Sequence, residues 1–339
     1  MDPISQATVG AAFAQSTANK KNILSISLIG FIAGLAPDLD VLIRSSTDPI
    51  LFLEYHRQFS HSLFFIPFGA FIVALFLYPL LRKSISLKTV YLVSFLGYAT
   101  HGLLDACTSY GTLLFWPFSN ERITWNNISI VDPLFTIPIL ILVGTAIKTR
   151  KRLFSFFAIG WIIFYLLLGC VQYERALSAA NELAYSRGHS PQRLTLKPSF
   201  GNLILWKSIY QHEEKFYVDA IRTVQSSTWC AGESIRMFDY QFHLPNLEQD
   251  SQQRKDIERF RWFSQDYLGF DEEKNLVTDV RYSMIPNQIA PMWGLIIDIQ
   301  RGINEHAIWW TSRGLDQGQL DIFKEMLSGK RCRDRVLAL

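Results

Sequence analysis

Two uncharged runs, 62–81 and 153–171, restrict what this chain can fold into more than anything else in it. Each approaches the ~20 apolar residues that carry a helix across the hydrocarbon core of a bilayer. In that medium every backbone N–H and C=O must be paired within its own segment, so runs of this kind fold as helices. Shorter apolar stretches at 23–37, 89–106 and 133–147 predict three further membrane helices. Residues 3–17, with Ala7, Gly10, Ala11 and Ala14, predict a short helix, either packed inside the bundle as a sixth element or lying on its surface.

The apolar runs stop near residue 171. The expected architecture is therefore a mainly α membrane bundle of five to six membrane helices over 1–171, followed by a small α+β soluble domain over 172–339. The mean hydropathy of +0.12 averages two unlike halves. A net charge of +3 gives no argument for a nucleic-acid partner. The segment Met1–Gln6 is acidic rather than basic and does not fit a secretory signal peptide.

Beyond the last run, Tyr173 to Arg187 reads as a polar continuation of the helix. The β-branched and aromatic residues of 203–210 and 215–222 predict a hairpin. Strands are expected near 276–284 and 292–300, with helices near 248–267 and 316–327. Cys230 and Cys332 are either a bridge, which an oxidising compartment permits, or two buried thiols, the favoured reading. The scattered His189, His212, His243 and His306 suit surface or core roles.

Cations set the orientation. Lys20 and Lys21 precede the first clear span, Arg82, Lys83 and Lys88 follow the second, and Lys148, Arg150, Lys151 and Arg152 separate the fourth from the fifth. These connections hold no carboxylate, so the positive-inside rule puts them in the cytoplasm. The opposite connections and the C-terminal domain are then extracytoplasmic.

This orientation gathers the unusual polar residues at one face. In Tyr98-Ala-Thr-His101-Gly-Leu-Leu-Asp105 a histidine and a carboxylate stand four residues apart in an otherwise apolar segment. On a helix that spacing separates them by only about 40°, so both reach one ion or proton. A hydrogen-bonded His/Asp pair between helices is the competing reading. Asp38 and Asp40 close the first span, His56 and His61 precede the second, and Asp132 precedes the fourth. Pro37 predicts a departure from regular helix that lets both nearby carboxylates serve one site. His56, taken alone, suits plain solvation, and Ser60 suits the N-cap of a helix starting near His61.

Mixed imidazole and carboxylate ligation suits zinc, with manganese or ferrous iron as competitors. Asp38, Asp40, His56, His61, His101, Asp105 and Asp132 exceed the needs of one tetrahedral ion. Two ions, or one ion with extra carboxylates orienting the imidazoles, are expected. Arg57 and Asp40 are the candidate catalytic residues, with Arg57 placed to stabilise developing negative charge. Pairing with Glu54 or a lipid phosphate is the other reading of Arg57.

The ordered set Met1-Asp-Pro-Ile-Ser-Gln6, Pro37-Asp-Leu-Asp40, His56-Arg-Gln-Phe-Ser-His61-Ser62, His101-Gly-Leu-Leu-Asp105-Ala-Cys-Thr-Ser-Tyr-Gly111 and Trp116-Pro-Phe118 resembles the bacterial membrane-bound, metal-dependent hydrolases. These are also described as LexA-binding, inner-membrane-associated hydrolases. The resemblance covers roughly residues 1–140 and implies a distant kinship with the zinc-dependent phospholipase C superfamily. It further implies a hydrolase of the bacterial inner membrane, with Asp38, Asp40, His56, His61, His101 and Asp105 as its metal site. Many such proteins carry histidine where this chain has Gln6, a poor ligand.

The function expected is metal-dependent hydrolysis of a lipid-linked or phosphorylated substrate at the membrane's outer face. A proton- or metal-coupled transporter is the alternative, but coupling sites lie near the bilayer midplane and these residues lie at helix ends. A metal-independent lipid phosphatase would need a basic phosphate-binding run with a second catalytic histidine, and a zincin would need His-Glu-x-x-His; the chain has neither.

Overall fold

In the computed structural model, which describes residues 1–314, 316–330 and 332, the apolar runs form helices. The chain divides into two units, one of 1–43, 55–171 and 200–202, the other of 44–54, 172–199 and 203–339.

The first unit starts with α1 (Pro3–Gln15), capped by the Asp2 carboxylate, which accepts the Ser5 N–H at 3.0 Å. Next comes α2 (Ile23–Leu35), which tightens into a 3-10 segment over Ala36–Leu42 with Pro37 in its first turn. After the short α3 (Leu51–Tyr55), the Ser62 hydroxyl accepts the Phe65 N–H and starts α4 (Ile66–Leu81) through a 3-10 turn. Ser62, not Ser60, is therefore the cap. Then follow α5 (Leu87–Ala106), α6 (Pro133–Thr149) and α7 (Leu153–Ser186). The run of α7 to Ser186 matches the polar continuation expected of it.

Three segments among the described residues are long and apolar enough to cross a membrane: Ile23–Leu42, Leu63–Leu81 and Leu153–Ser186. The expectation of five to six membrane helices is corrected to these three, for reasons of length and polarity. At 1.5 Å per residue, the 17 residues of α6 extend only about 26 Å, short of a ~30 Å core. The helix α5 has the length, but Lys88, Ser94, Thr100, His101 and Asp105 dilute its apolar character. With 13 residues, α1 is shorter still, and it is buried within the bundle. It packs there because small residues face one another: a Cβ on Gly10 would lie 2.5 Å from the Gly30 carbonyl oxygen. Ile26, Ile29, Val73, Val90 and Val93 fill the core around it.

The second unit holds two antiparallel four-stranded sheets, each in sequential order. The first is β1 (Arg193–Pro198), β2 (Leu205–His212), β3 (Lys215–Thr223) and β4 (Ser227–Arg236). The pairing of His212 with Lys215 closes the expected hairpin in a two-residue turn. The second is β5 (Leu268–Asp271), β6 (Leu276–Asp279), β7 (Trp293–Ile296) and β8 (Ile308–Thr311). Helices α8 (Tyr240–His243), α9 (Gln252–Phe263) and α10 (Gln317–Ser328) accompany them. Cys230 and Cys332 are joined by a disulfide, which overturns the reading of two free thiols. His306 pairs with Asp256 at 2.9 Å and His189 stacks on His212, so these histidines have local structural partners.

Candidate metal centre

Four side chains from three elements meet in the first unit. The 3-10 segment supplies Asp38, the turn before α4 supplies His61, and one face of α5 supplies His101 and Asp105. One ligand atom from each lies within 4.8 Å of all the others. His61, His101 and Asp105 are buried and Asp38 is half-buried.

Local structure accounts for the convergence. In a 3-10 helix, successive residues advance by about 120°, so Asp38 and Asp40 diverge by a third of a turn. They grip His61 from two sides. Asp38 Oδ1 is 3.4 Å from its Nε2, while Asp40 Oδ2 is 3.2 Å from its Nδ1. The α5 backbone comes close enough because residue 102 is glycine: a Cβ there would sit 2.1 Å from the His61 carbonyl oxygen. Tyr98, one turn earlier, donates its hydroxyl to the Ser60 carbonyl at 2.8 Å and holds the turn against the helix.

Hydrogen bonding sets the tautomers. His101 Nδ1 lies 2.6 Å from the Gly34 carbonyl oxygen, which can only accept, so the proton is on Nδ1. The Asp40 carboxylate places the proton of His61 on Nδ1 in the same way. Each ring is left with a lone pair on Nε2, and these two atoms face one another at 2.9 Å. Two lone pairs at that distance repel unless a proton or a metal ion lies between them. Asp105 Oδ2, buried, is 3.2 Å from His61 Nε2 and 3.6 Å from His101 Nε2.

The dimensions suit a small divalent ion. Tetrahedral zinc with bonds of ~2.1 Å implies ~3.4 Å between ligand atoms, and the separations involving the two Nε2 atoms run from 2.9 to 3.6 Å. The cluster can hold a metal ion.

The other sequence candidates have different surroundings. Asp40 Oδ1 is 2.8 Å from His56 Nδ1, and Oδ2 accepts the Arg57 N–H at 2.9 Å and the Ser60 hydroxyl at 2.8 Å. Asp38, Asp40 and His56 form a second group of possible ligands, with Asp38 common to both. Arg57 has φ of 65°, a left-handed conformation that residues other than glycine seldom adopt. Its Nε stands 3.1 Å from Asp105 Oδ2 and its Nη1 donates to Thr108 at 3.0 Å, while Glu54 pairs with Arg259. Asp132 is in neither group. It caps α6 by accepting the Leu134 and Phe135 N–H groups and takes the Tyr165 hydroxyl at 2.8 Å.

Sequence reasoning had not placed Ser60 or Tyr98 at the site, and had set Gln6 aside as a ligand. The Gln6 amide donates to Asp105 Oδ1 at 2.8 Å and leaves Oδ2 to face the histidines. The Met1 amino group contacts the same Oδ1. An amide in place of an imidazole is thus a donor to a ligand instead of a ligand itself.

The YdjM inner membrane protein family model matches residues 1–176, which include every residue of this cluster, and the chain belongs to that family. Membership and the three apolar helices put the chain in an inner membrane. No curated protein and no solved structure matches it.

Proposed function

We propose that this member of the YdjM inner membrane protein family is a metal-dependent hydrolase whose His/Asp cluster serves a lipid-linked or phosphoester substrate. The observation that carries the reading is the 2.9 Å approach of the two Nε2 atoms beside the buried Asp105 Oδ2. A divalent ion between the rings would relieve that approach, and zinc suits the mixed N/O donors best, with manganese or iron behind it.

When bound, such an ion supplies Lewis acidity and makes a water nucleophilic near neutral pH. The chain's own residues have separate tasks. Asp38, His61, His101 and Asp105 would hold the ion. Asp40 fixes His61 and His56, and since both its oxygens are occupied we read one ion with Asp40 as the orienting carboxylate. Arg57, fixed by Asp105 and Thr108, puts a permanent positive charge beside the ligands, where it stabilises charge on a phosphoryl or acyl oxygen. The extracytoplasmic placement of the second unit rests on the cation distribution, and the Cys230–Cys332 disulfide supports it.

Turnover of phosphodiester and carboxylester substrates by the purified full chain tests the reading. Activity should need a divalent metal and vanish with chelator, and Arg57→Ala should lower turnover by more than it lowers metal affinity. A metal-loaded protein that hydrolyses none of them yet moves ions across liposomes would replace the hydrolase with a transporter.

A further inference from the structure

The 3-10 segment has three faces, because residues three apart are eclipsed. Pro37 and Asp40 are buried in the bundle. Ala36 and Leu39 line a cavity of about 350 Å³ between α2 and α4, whose other walls are Ile32, Leu35, Ile72, Val73 and Phe76. Between these faces lies Asp38, whose side chain keeps 24% of its exposure while those of His61, His101 and Asp105 keep none. The metal cluster is therefore open on the side of Asp38, whose neighbour Leu39 forms part of the cavity wall while Pro37, on its other side, is buried.

That wall has no polar side chain, and the cavity lies between two of the segments able to cross a membrane. Its surroundings are apolar too: Leu42, Phe68, Phe71 and Leu75 are exposed. In a bilayer, the material available to such a recess is hydrocarbon, and water is excluded from it.

We infer that the recess between α2 and α4 holds one alkyl chain of the substrate, so that a membrane amphiphile lies along α2 and α4 with its ester at the His/Asp cluster. This deepens the hydrolase reading and rests on it. The chain is held by packing, since dispersion contacts with Ile32, Leu39, Ile72 and Phe76 replace looser contacts with lipid. Head and tail then select together: the cluster takes the ester, and the recess discriminates by chain length.

A series of 4-nitrophenyl alkyl phosphodiesters from ethyl to decyl, given to the detergent-solubilised full chain with added zinc, tests the inference. With rates normalised to the ethyl diester, kcat/KM should climb with each methylene that enters the recess, by less than the about fourfold, roughly 0.8 kcal/mol, of a full transfer from water. Ile72→Trp, which fills the recess, should flatten the climb, with wild-type zinc affinity as the check on its fold. Micelle partitioning acts on both proteins alike and drops out of the comparison. Equal slopes in the two proteins would overturn the recess and leave the hydrolase standing.

A second readout needs neither metal nor turnover. A decyl phosphate carrying a terminal diazirine, photolysed on metal-free protein, should label 32–39 and 72–76 in preference to α6 and α7, and Ile72→Trp should remove that preference. Even labelling of all the apolar helices would refute the recess. If no diester is hydrolysed but labelling is confined to the recess, the hydrolase reading fails and the alkyl site stands.

Discussion

Asp40 separates an orienting carboxylate from a ligand, and its substitution has a calculable effect. Its Oδ2 receives the Arg57 N–H, the Ser60 hydroxyl and His61 Nδ1, and its Oδ1 lies against His56 Nδ1. In Asp40→Asn the amide oxygen can take the three-donor position and keep His61 in its tautomer, but the negative charge that raises the ring's basicity is gone. Charge-assisted hydrogen bonds are roughly twice as strong as neutral ones. Loss of a partner behind a metal-bound histidine costs about 10- to 100-fold in affinity, or roughly 1.4–2.7 kcal/mol. Asp40→Asn should fall near the lower limit. Asp40→Ala, which leaves nothing for Nδ1 to donate to, should fall near the upper. His101→Ala removes a coordination bond and should exceed both, whereas Asp132→Asn should leave affinity unchanged. Competition for zinc against a chromophoric chelator, at fixed pH and salt in detergent, ranks the variants. If Asp40→Asn loses as much as His101→Ala, Asp40 is a ligand; if both Asp40 variants bind like wild type, the orienting role is wrong.

In the second unit, burial pushes the Lys207 ammonium down to about 7, where it donates to Ser283 Oγ and the Gln288 carbonyl. The unfolded chain holds that proton to about pH 10.4, so between pH 7 and 10 it binds more protons than the folded one, and stability should rise with pH by up to about 1.4 kcal/mol per unit. Lys207→Met should make the slope shallower by up to that amount, and buried Lys197, also lowered, should sustain what remains; unfolding followed through buried Trp206 checks this, and an unchanged slope counts against it. A reporter fused after residue 339 should behave as exported in cells, and cytoplasmic activity of the reporter would reverse the orientation.

Much of the cluster was legible because its residues obey local rules. The His101/Asp105 spacing puts both on one face of α5, and Pro37 signals the change of helix that turns Asp38 and Asp40 toward His61. The function of each carboxylate was less legible, since it depends on what comes near from elsewhere in the chain. Asp40 looks like Asp38 in sequence, but Ser60 and the Arg57 backbone occupy it. Asp132 had a local signal that pointed elsewhere, for an aspartate before a proline at a helix start is a cap. Span count was overread because apolar content alone does not separate a lipid-facing helix from one buried among others, and α5 and α1 are of the second kind. In the second unit, the hairpin of β2 and β3 was read from its residues, whereas β1 and β4 join that sheet by cross-strand pairing and have no comparable pattern. The Cys230–Cys332 bridge joins residues 102 apart, a proximity that sequence cannot supply.

Metal analysis of the purified, zinc-loaded chain after exhaustive desalting tests the central claim, that Asp38, His61, His101 and Asp105 hold a divalent ion. The account predicts about one tightly held ion per chain, lost in a His61→Ala/His101→Ala variant that still inserts in the membrane and unaffected by Asp132→Asn. A wild-type chain that retains no more metal than the double variant would contradict it and leave His101 and Asp105 as a hydrogen-bonded pair between helices.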